Sequence, residues 1–366
     1  MKNRENLLRS IRTLVSGTQP DLDSSQLTEL AQLLFAHRCY HLLSLLKQPH
    51  PYTQYLNTHN LLNRLNVQER FRACQPLFQA FADVSLPYAV IKGAVLSATA
   101  YGNPYRRASG DIDLLLHRRH IDTAKQLLTA NGFRQGHVTK DGIQPFTRAE
   151  LLFHSTASHQ TAPFVKATGN RLCPYVEVDV NLDILWGESD RKADMDFVLS
   201  QTMQTTVCDT SVRKLLPEME FISLCLHHYK DMNSIYLLSH GSLNLRLFCD
   251  IYYYFKNGEL NWDRITALCD SMGVAEYVYY CLYYTDCIFH DETLKTYCQS
   301  LCSPKGQRQL HTFGLAEDEI QEWDISFFDR LFADDFHERF RTKLPEKQLE
   351  KIRVNEQYMR QISSNT

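Results

Sequence analysis

The stretch Arg107-Ala108-Ser109-Gly110-Asp111-Ile112-Asp113-Leu114-Leu115-Leu116, preceded by Lys92-Gly93, decides how this chain reads. It puts two carboxylates two residues apart at the head of an apolar strand. Alternate side chains of a strand point to opposite faces, so Asp111 and Asp113 share one face while Ile112, Leu114 and Leu116 share the other. Their Cα atoms are expected roughly 6.6 Å apart at ~3.3 Å per residue. Like charges held that close beside a core repel unless a cation or a proton neutralises one of them. Magnesium suits such a site, because it accepts one or two carboxylates and completes its shell with water and substrate phosphates.

Upstream, Tyr88-Ala-Val-Ile91 follows Pro87 and reads as a short apolar strand entering Lys92-Gly93. Ala94 to Tyr101 is predicted to be a short helix that Gly102-Asn103-Pro104 ends. Downstream, a helix from Ile121 to Ala130, closed by Asn131-Gly132, completes a strand, helix, strand, helix unit. A second acidic strand lies at Val176-Glu177-Val178-Asp179-Val180-Asn181-Leu182, with valines and leucine on one face and Glu177, Asp179 and Asn181 on the other. If the two acidic strands are sheet neighbours, Asp111, Asp113 and one of Glu177 or Asp179 converge on a three-carboxylate cluster. Two magnesium ions ~3.5–4 Å apart in such a cluster can orient a nucleoside triphosphate and stabilise leaving pyrophosphate in an in-line displacement. Gly93 lets the backbone approach the triphosphate, and the helix beginning at Ala94 supplies amide donors. The competing reading makes both acidic faces the solvated sides of edge strands; two such strands in order with a Lys-Gly turn argue against it.

The flanks read as helices. Leu7, Leu8, Ile11 and Leu14 recur at helical spacing, and Leu27, Leu30, Leu33, Leu34 and His37 follow a capping Ser24 or Ser25. A third helix is predicted over Leu61 to Ala82. Residues 137–175 mix Gly, Pro, His and Thr, and are expected to give one or two strands around Glu150 to Ser155 and a long loop. From Pro217 the pattern is helical again, through Glu218–Lys230, Leu243–Lys256, Trp262–Met272 and Tyr277–Phe289. A more charged tail from about Ser303 is anchored by Trp323, Phe327 and Phe328.

Composition sets outer bounds. Of 366 residues 44% are hydrophobic and 22% charged, which suits a globular chain with core for two or three domains. The formal net charge of −3 argues against a broad nucleic-acid-coating surface, while leaving room for a local basic pocket. No apolar run approaches the ~18 residues of a membrane span. The opening Met1-Lys-Asn-Arg-Glu-Asn6 has charges and no apolar leader, so the cytoplasm is the expected address. Eleven cysteines include no C-x-x-C pair and read as buried thiols of a reducing compartment.

The ordered set Lys92-Gly93, Tyr101-Gly102-Asn103-Pro104, Arg107, Asp111-Ile112-Asp113-Leu114-Leu115 and Val176-Glu177-Val178-Asp179 resembles the uncharacterised nucleotidyltransferase family of the DNA polymerase β-like superfamily. The Asn131-Gly132-Phe133 helix end, Asp250-Ile251 and Asn261-Trp262-Asp263 extend the likeness over residues 20 to 300. The resemblance implies an α+β fold: a polymerase β-like core of mixed sheet with flanking helices, plus N- and C-terminal helical regions. The corresponding divisions are 1–82, a catalytic core at 83–210, and a helical acceptor-binding domain at 211–366. It further implies transfer of a nucleoside monophosphate from a nucleoside triphosphate, ATP being expected, to a hydroxyl or phosphate of an acceptor. The ion is expected to be Mg2+ or Mn2+. Asp111, Asp113 and Glu177 are the implied metal ligands, and Lys92, Gly93, Ala94 and Arg107 the implied nucleotide contacts.

Two positions depart from the family pattern. Gly93-Ala94 replaces the usual Gly-Gly or Gly-Ser turn, leaving phosphate to backbone amides. Asp179 stands where the family commonly has the His of Glu-Leu-His, so either Glu177 or Asp179 is the third ligand, or Asp179 is the general base. Lys92 either contacts triphosphate or pairs with the acids, and Arg107 either binds phosphate or holds Asp111. His117, Arg118, Arg119 and His120 read as a solvated strand end. His154 with His159, and His227 with His228, read as satisfied histidines, and the tyrosines of 277–284 as core. The acceptor is expected to be a small molecule, peptide or protein, with no membrane partner. Two further functions fit the same residues: a nucleotide- or partner-binding pseudoenzyme in a biosynthetic pathway, and a toxin-like enzyme that modifies transfer RNA, the latter marked by a basic cleft rim.

Overall fold

The chain enters through α1 (Lys2–Val15), α2 (Ser24–Ala36), a single turn α3 (Tyr40–Leu43) and the long α4 (Thr53–Asp83) in this computed structural model, which describes residues 2–157, 160–187, 189–241, 243–333 and 335–364. Asp23 caps α2, one residue before the expected serines: its carboxylate accepts from the Ser25 and Gln26 amides, and the Gln26 side chain accepts from the Asp23 amide. Next come β1 (Tyr88–Ile91), α5 (Gly93–Tyr101), β2 (Ile112–Leu116) and α6 (Ile121–Ala130). They are followed by β3 (Arg134–Thr139), β4 (Gly142–Pro145), α7 (Arg148–Ala157), β5 (Phe164–Asn170) and β6 (Cys173–Asn181). The remainder is mainly helical. It comprises α8 (Met195–Ser200), a hairpin of β7 (Thr202–Val207) and β8 (Thr210–Leu215), then α9 (Pro217–Asn233), α10 (Ile235–Leu238), α11 (Leu245–Asn257), α12 (Trp262–Met272) and α13 (Ala275–Phe289). Shorter helices and one more long helix run on to Ser364.

The strands β1-β2-β6-β5-β3-β4 form one mixed sheet, in which β2 and β6 are parallel and the other neighbours antiparallel. The two acidic strands are therefore neighbours, with Ile112 opposite Val178 and Asp113 opposite Asp179. On the apolar side, Ile112, Leu114, Leu116 and Val176, Val178, Val180 pack against α4, through Phe71, Leu77, Phe78 and Phe81, and against Ala124 and Leu128 of α6. Burying each such side chain contributes roughly 1.5–3 kcal/mol. On the other side, Ala89, Ile91 and Leu115 belong to a larger cluster that joins α1 and α2 with α9, α11 and α13. Both faces of β2 are covered, and the acidic face looks into the seam between the sheet and the C-terminal helices.

Two segments differ from the sequence reading. The stretch around Glu150 to Ser155 is helical, not a strand. Thr147 and Glu150 form a reciprocal pair, with the Thr147 amide donating to Glu150 Oε2 (2.6 Å) and the Glu150 amide to Thr147 Oγ1 (3.3 Å). That capping box starts a helix through the Leu151-Leu152-Phe153 run. The expected long loop instead holds β4 and β5. Eight of the eleven cysteines are buried and none forms a disulfide. Val278, Tyr280, Cys281 and Leu282 of α13 are buried, in keeping with a packing role for that aromatic helix. Among the described residues, no helix is long and apolar enough to cross a membrane. His159 lies outside the described residues.

Candidate active site

The loop between α5 and β2 is fixed before it delivers its acids. Ser97 Oγ donates to the Asn103 carbonyl (2.7 Å) and accepts from the Arg107 amide (3.0 Å). From α4, Asn63 Nδ2 donates to the Tyr105 carbonyl (2.7 Å) and an Arg70 guanidinium nitrogen to the Ser109 carbonyl (2.6 Å). Asp111 thus leaves a pinned loop just before β2, and Asp113, 8% exposed, sits within it. Adjacent strands lie ~4.8 Å apart, so the pairing of Asp113 with Asp179 sets two carboxylates side by side on the same face. Glu177, two residues earlier on β6, falls level with Asp111.

The electrostatics record that crowding. Burial, then Asp113, Asp111 and Glu177, push the Asp179 carboxyl up to about 7. Asp111 is raised by burial and by Asp113, against Lys92 and Arg70, and Glu177 is raised by burial and then by Asp111. Asp179 is the acid that feels the other three, whereas Glu177 feels Asp111. Lys92 Nζ lies 3.1 Å from Asp113 Oδ1, so of its two expected roles the lysine here takes the pairing with the acids. Asn181 Nδ2, also on the acidic face of β6, donates to the same Oδ1 at 3.1 Å.

Lys92 and Gly93 both have positive φ, +58° and +47°. That backbone turns the chain sharply from β1 into α5. A side chain disfavours it, which explains glycine at 93. No side chain caps α5, so the amides of its first turn, Gly93 and Ala94 among them, carry no capping partner. They open a helix N-terminus, a favourable place for an anion.

Arg107 goes elsewhere. Its Nε donates to Asp250 Oδ2 at 2.9 Å, so the carboxylate it holds is Asp250 and not Asp111, the acid expected from sequence. Tyr101 donates its hydroxyl to Asp250 Oδ1 at 2.6 Å, and His228 Nε2 stands 3.4 Å from Oδ2. Burial would raise the fully buried Asp250 carboxyl, but Arg107, His228 and Arg246 hold it well below the ordinary range. The network ties α5 and the acid-bearing loop to α9 and α11.

α9 adds Ser223, Leu226 and Lys230, which the sequence reading passed over, and His227, which it took for a satisfied histidine. Ser223, Leu226, His227 and Lys230, at helical spacing, line a narrow cleft with Lys92, Asn181 and Asp183. Burial, then Lys92, Lys230 and His228, hold the His227 imidazole well below its ordinary value. His227, His228 and Asp231 are, among the described residues, the one set of three His, Cys, Asp or Glu ligand atoms lying mutually within 4.8 Å. The signal was His-His-x-x-Asp, whose first and last residues meet one turn apart. The four strand carboxylates are spread wider than that.

Comparison with curated proteins gave no match. Among solved structures, the chain is similar to an antigenic nucleotidyltransferase-like protein from Paracoccidioides brasiliensis, at 16% identity over 63% of this chain and 92% of that one, with a TM-score of 0.37. The model of a family described as uncharacterised nucleotidyltransferases matches residues 22–290, which include every acid, lysine and glycine of the site. By that match over most of its length, the chain belongs to the uncharacterised nucleotidyltransferase family.

Proposed function

We propose that this protein is a metal-dependent nucleotidyltransferase with a polymerase β-like core, moving a nucleoside monophosphate from ATP to a hydroxyl or phosphate of an acceptor and releasing pyrophosphate. The observation that carries this reading is the parallel register that sets Asp113 beside Asp179, with Asp111 adjacent and Lys92-Gly93 opening α5 above them. The donor set fits a hard divalent cation. Buried carboxylates that raise one another's pKa gain when Mg2+ or Mn2+ replaces their protons, and their spread suits ions that keep several waters. Bound ions supply charge neutralisation on the triphosphate and activation of the acceptor oxygen.

The chain's own residues do the rest. Asp111 and Asp113 hold the metal end of the site, and Asp179, facing Asp113, is the third carboxylate. Glu177, level with Asp111, adds a fourth carboxylate beside the set. The uncapped amides of α5, at Gly93 and Ala94, receive triphosphate oxygens, and Lys92 shares its charge between them and Asp113. Arg107 acts as a positioning residue that locks the acid-bearing loop to Asp250. The helical region beyond residue 211 forms the acceptor wall through α9. The acceptor is a small molecule, peptide or protein in this reading. Asp111→Ala and Asp113→Ala are each expected to abolish magnesium-dependent pyrophosphate release while leaving thermal unfolding cooperative. Unchanged release in either variant removes that acid from the mechanism.

A further inference from the structure

A cavity of about 280 Å³ lies at the far end of α5 from Lys92, lined by Arg38, His41, Tyr101, Arg106, Arg107 and Arg246 among others. Four arginines are thus among its lining residues. Among the described residues, Arg107 is the one of the four that pairs with a carboxylate, and that carboxylate, Asp250, is already shared with Tyr101 and His228. Arg246 is half-buried with its Nε lacking a hydrogen-bond partner. His41 is 6% exposed, and its Nε2 also lacks a partner. Burial pushes the His41 imidazole down to about 3, with Arg106 and Arg246 adding to the effect against Asp250, so it is neutral and keeps one N–H to donate. Arg38 and Arg106 are exposed and Arg107 and Arg246 half-buried, and the single carboxylate Asp250 faces this excess of positive charge, so the ligand that relieves it is an anion with several acceptor oxygens.

We infer that this cavity is an anion subsite that seats a phosphate group carried by the acceptor. A tetrahedral phosphate presents oxygens to several guanidinium forks at once, which a single carboxylate plane does not. The cavity volume exceeds one phosphate and leaves room for the atoms that carry it. The donor's phosphates belong at the other end of α5. Gly93 and Tyr101 are the two ends of this nine-residue helix, ~12 Å apart at ~1.5 Å per residue step. The acids are nonetheless within reach: Ala108 lines the cavity three residues before Asp111, a stretch of at most ~11 Å, and Arg107 feels the charge of Asp113. An acceptor anchored by its phosphate at one end thus presents its reacting oxygen to the carboxylates at the other. The assignment to the acceptor rests on the nucleotidyl-transfer reading; the phosphate site itself does not.

Calorimetric titration of the full chain with inorganic phosphate, without metal or nucleotide, tests the site. Saturable binding is expected in the wild type and in Asp113→Asn. Arg246→Gln, and Arg106→Gln, whose exposed position poses no risk to folding, are each expected to weaken it about tenfold through loss of a charge-assisted hydrogen bond. Absence of phosphate binding in the wild type, or equal binding in both arginine variants, overturns the subsite. A second titration adds a magnesium complex of a non-hydrolysable ATP analogue. Phosphate binding that persists supports the acceptor assignment, and competitive displacement overturns it by giving the cavity to the donor. Failure of Asp111→Ala to stop pyrophosphate release would sink the transfer reading while leaving the metal-free phosphate titration intact.

Discussion

Asp179→Asn probes the acid cluster without needing the substrate. A carboxyl whose folded pKa is raised is protonated in the folded chain at a pH where the unfolded chain has released its proton. The folded state then binds more protons, so stability is full below the ordinary carboxyl range and falls as pH rises through the folded value. For Asp179 that window runs from 3.8 to about 7. At about 1.4 kcal/mol per pH unit, charging this one group costs ~4 kcal/mol once pH is well above 7. The amide of the variant carries no charge at any pH. Urea unfolding in EDTA, followed from pH 4.5 to 8.5, should show the wild type losing most of that stability relative to the variant, read as a falling midpoint at constant slope. Added magnesium should restore the wild type at pH 8.5 and do little for Asp179→Asn. Parallel stability curves for the two proteins across the pH range would refute the crowding of Asp179 against Asp111, Asp113 and Glu177.

Arg107→Met should destabilise the fold by about 3–5 kcal/mol, because it leaves the fully buried Asp250 carboxylate without its guanidinium partner. Chemical denaturation measures this, and the double variant Arg107→Met with Asp250→Leu should recover much of the loss; no recovery would mean that the pair is not the source. Gly93→Ala meets only ordinary contacts, Ser109 Oγ at 3.4 Å being the nearest, so its expected cost of ~1–2 kcal/mol comes from the positive φ. A thermal-melt shift of that size with weakened magnesium–ATP binding is expected, and an unchanged melt would contradict the strained turn.

The acidic strands were legible because a two-residue period is hard to imitate: Asp111, Asp113, Glu177 and Asp179 each alternate with aliphatic residues, and the sheet brings them together as that pattern requires. The destination of Arg107 was not, since Asp250 lies 143 residues away and nothing local marks the pair. A similarly long separation along the chain hid the approach of His227 and Lys230 to Lys92. The β7–β8 hairpin escaped because its turn residues, Cys208 and Asp209, both adopt positive φ without the glycine that usually announces such a turn. At 150–155 the apolar run fits strand or helix equally, and the capping box at Thr147 and Glu150, present in the sequence, decides it. Which of Glu177 and Asp179 sits closer to the cluster is a matter of register, which neither strand states alone.

In the proposed reaction a nucleoside monophosphate, and not a terminal phosphoryl group, is what the site transfers. Incubation of the protein with magnesium, a cell extract and ATP labelled at either the α- or the γ-phosphate, with parallel reactions for CTP, GTP and UTP, separates the two. Label from the α-position should become covalently attached to an acceptor, and label from the γ-position should leave as pyrophosphate. Asp113→Asn should lose the α-label transfer. Transfer from the γ-position, α-label transfer that survives Asp113→Asn, or no transfer from any of the four nucleotides would contradict the proposed reaction.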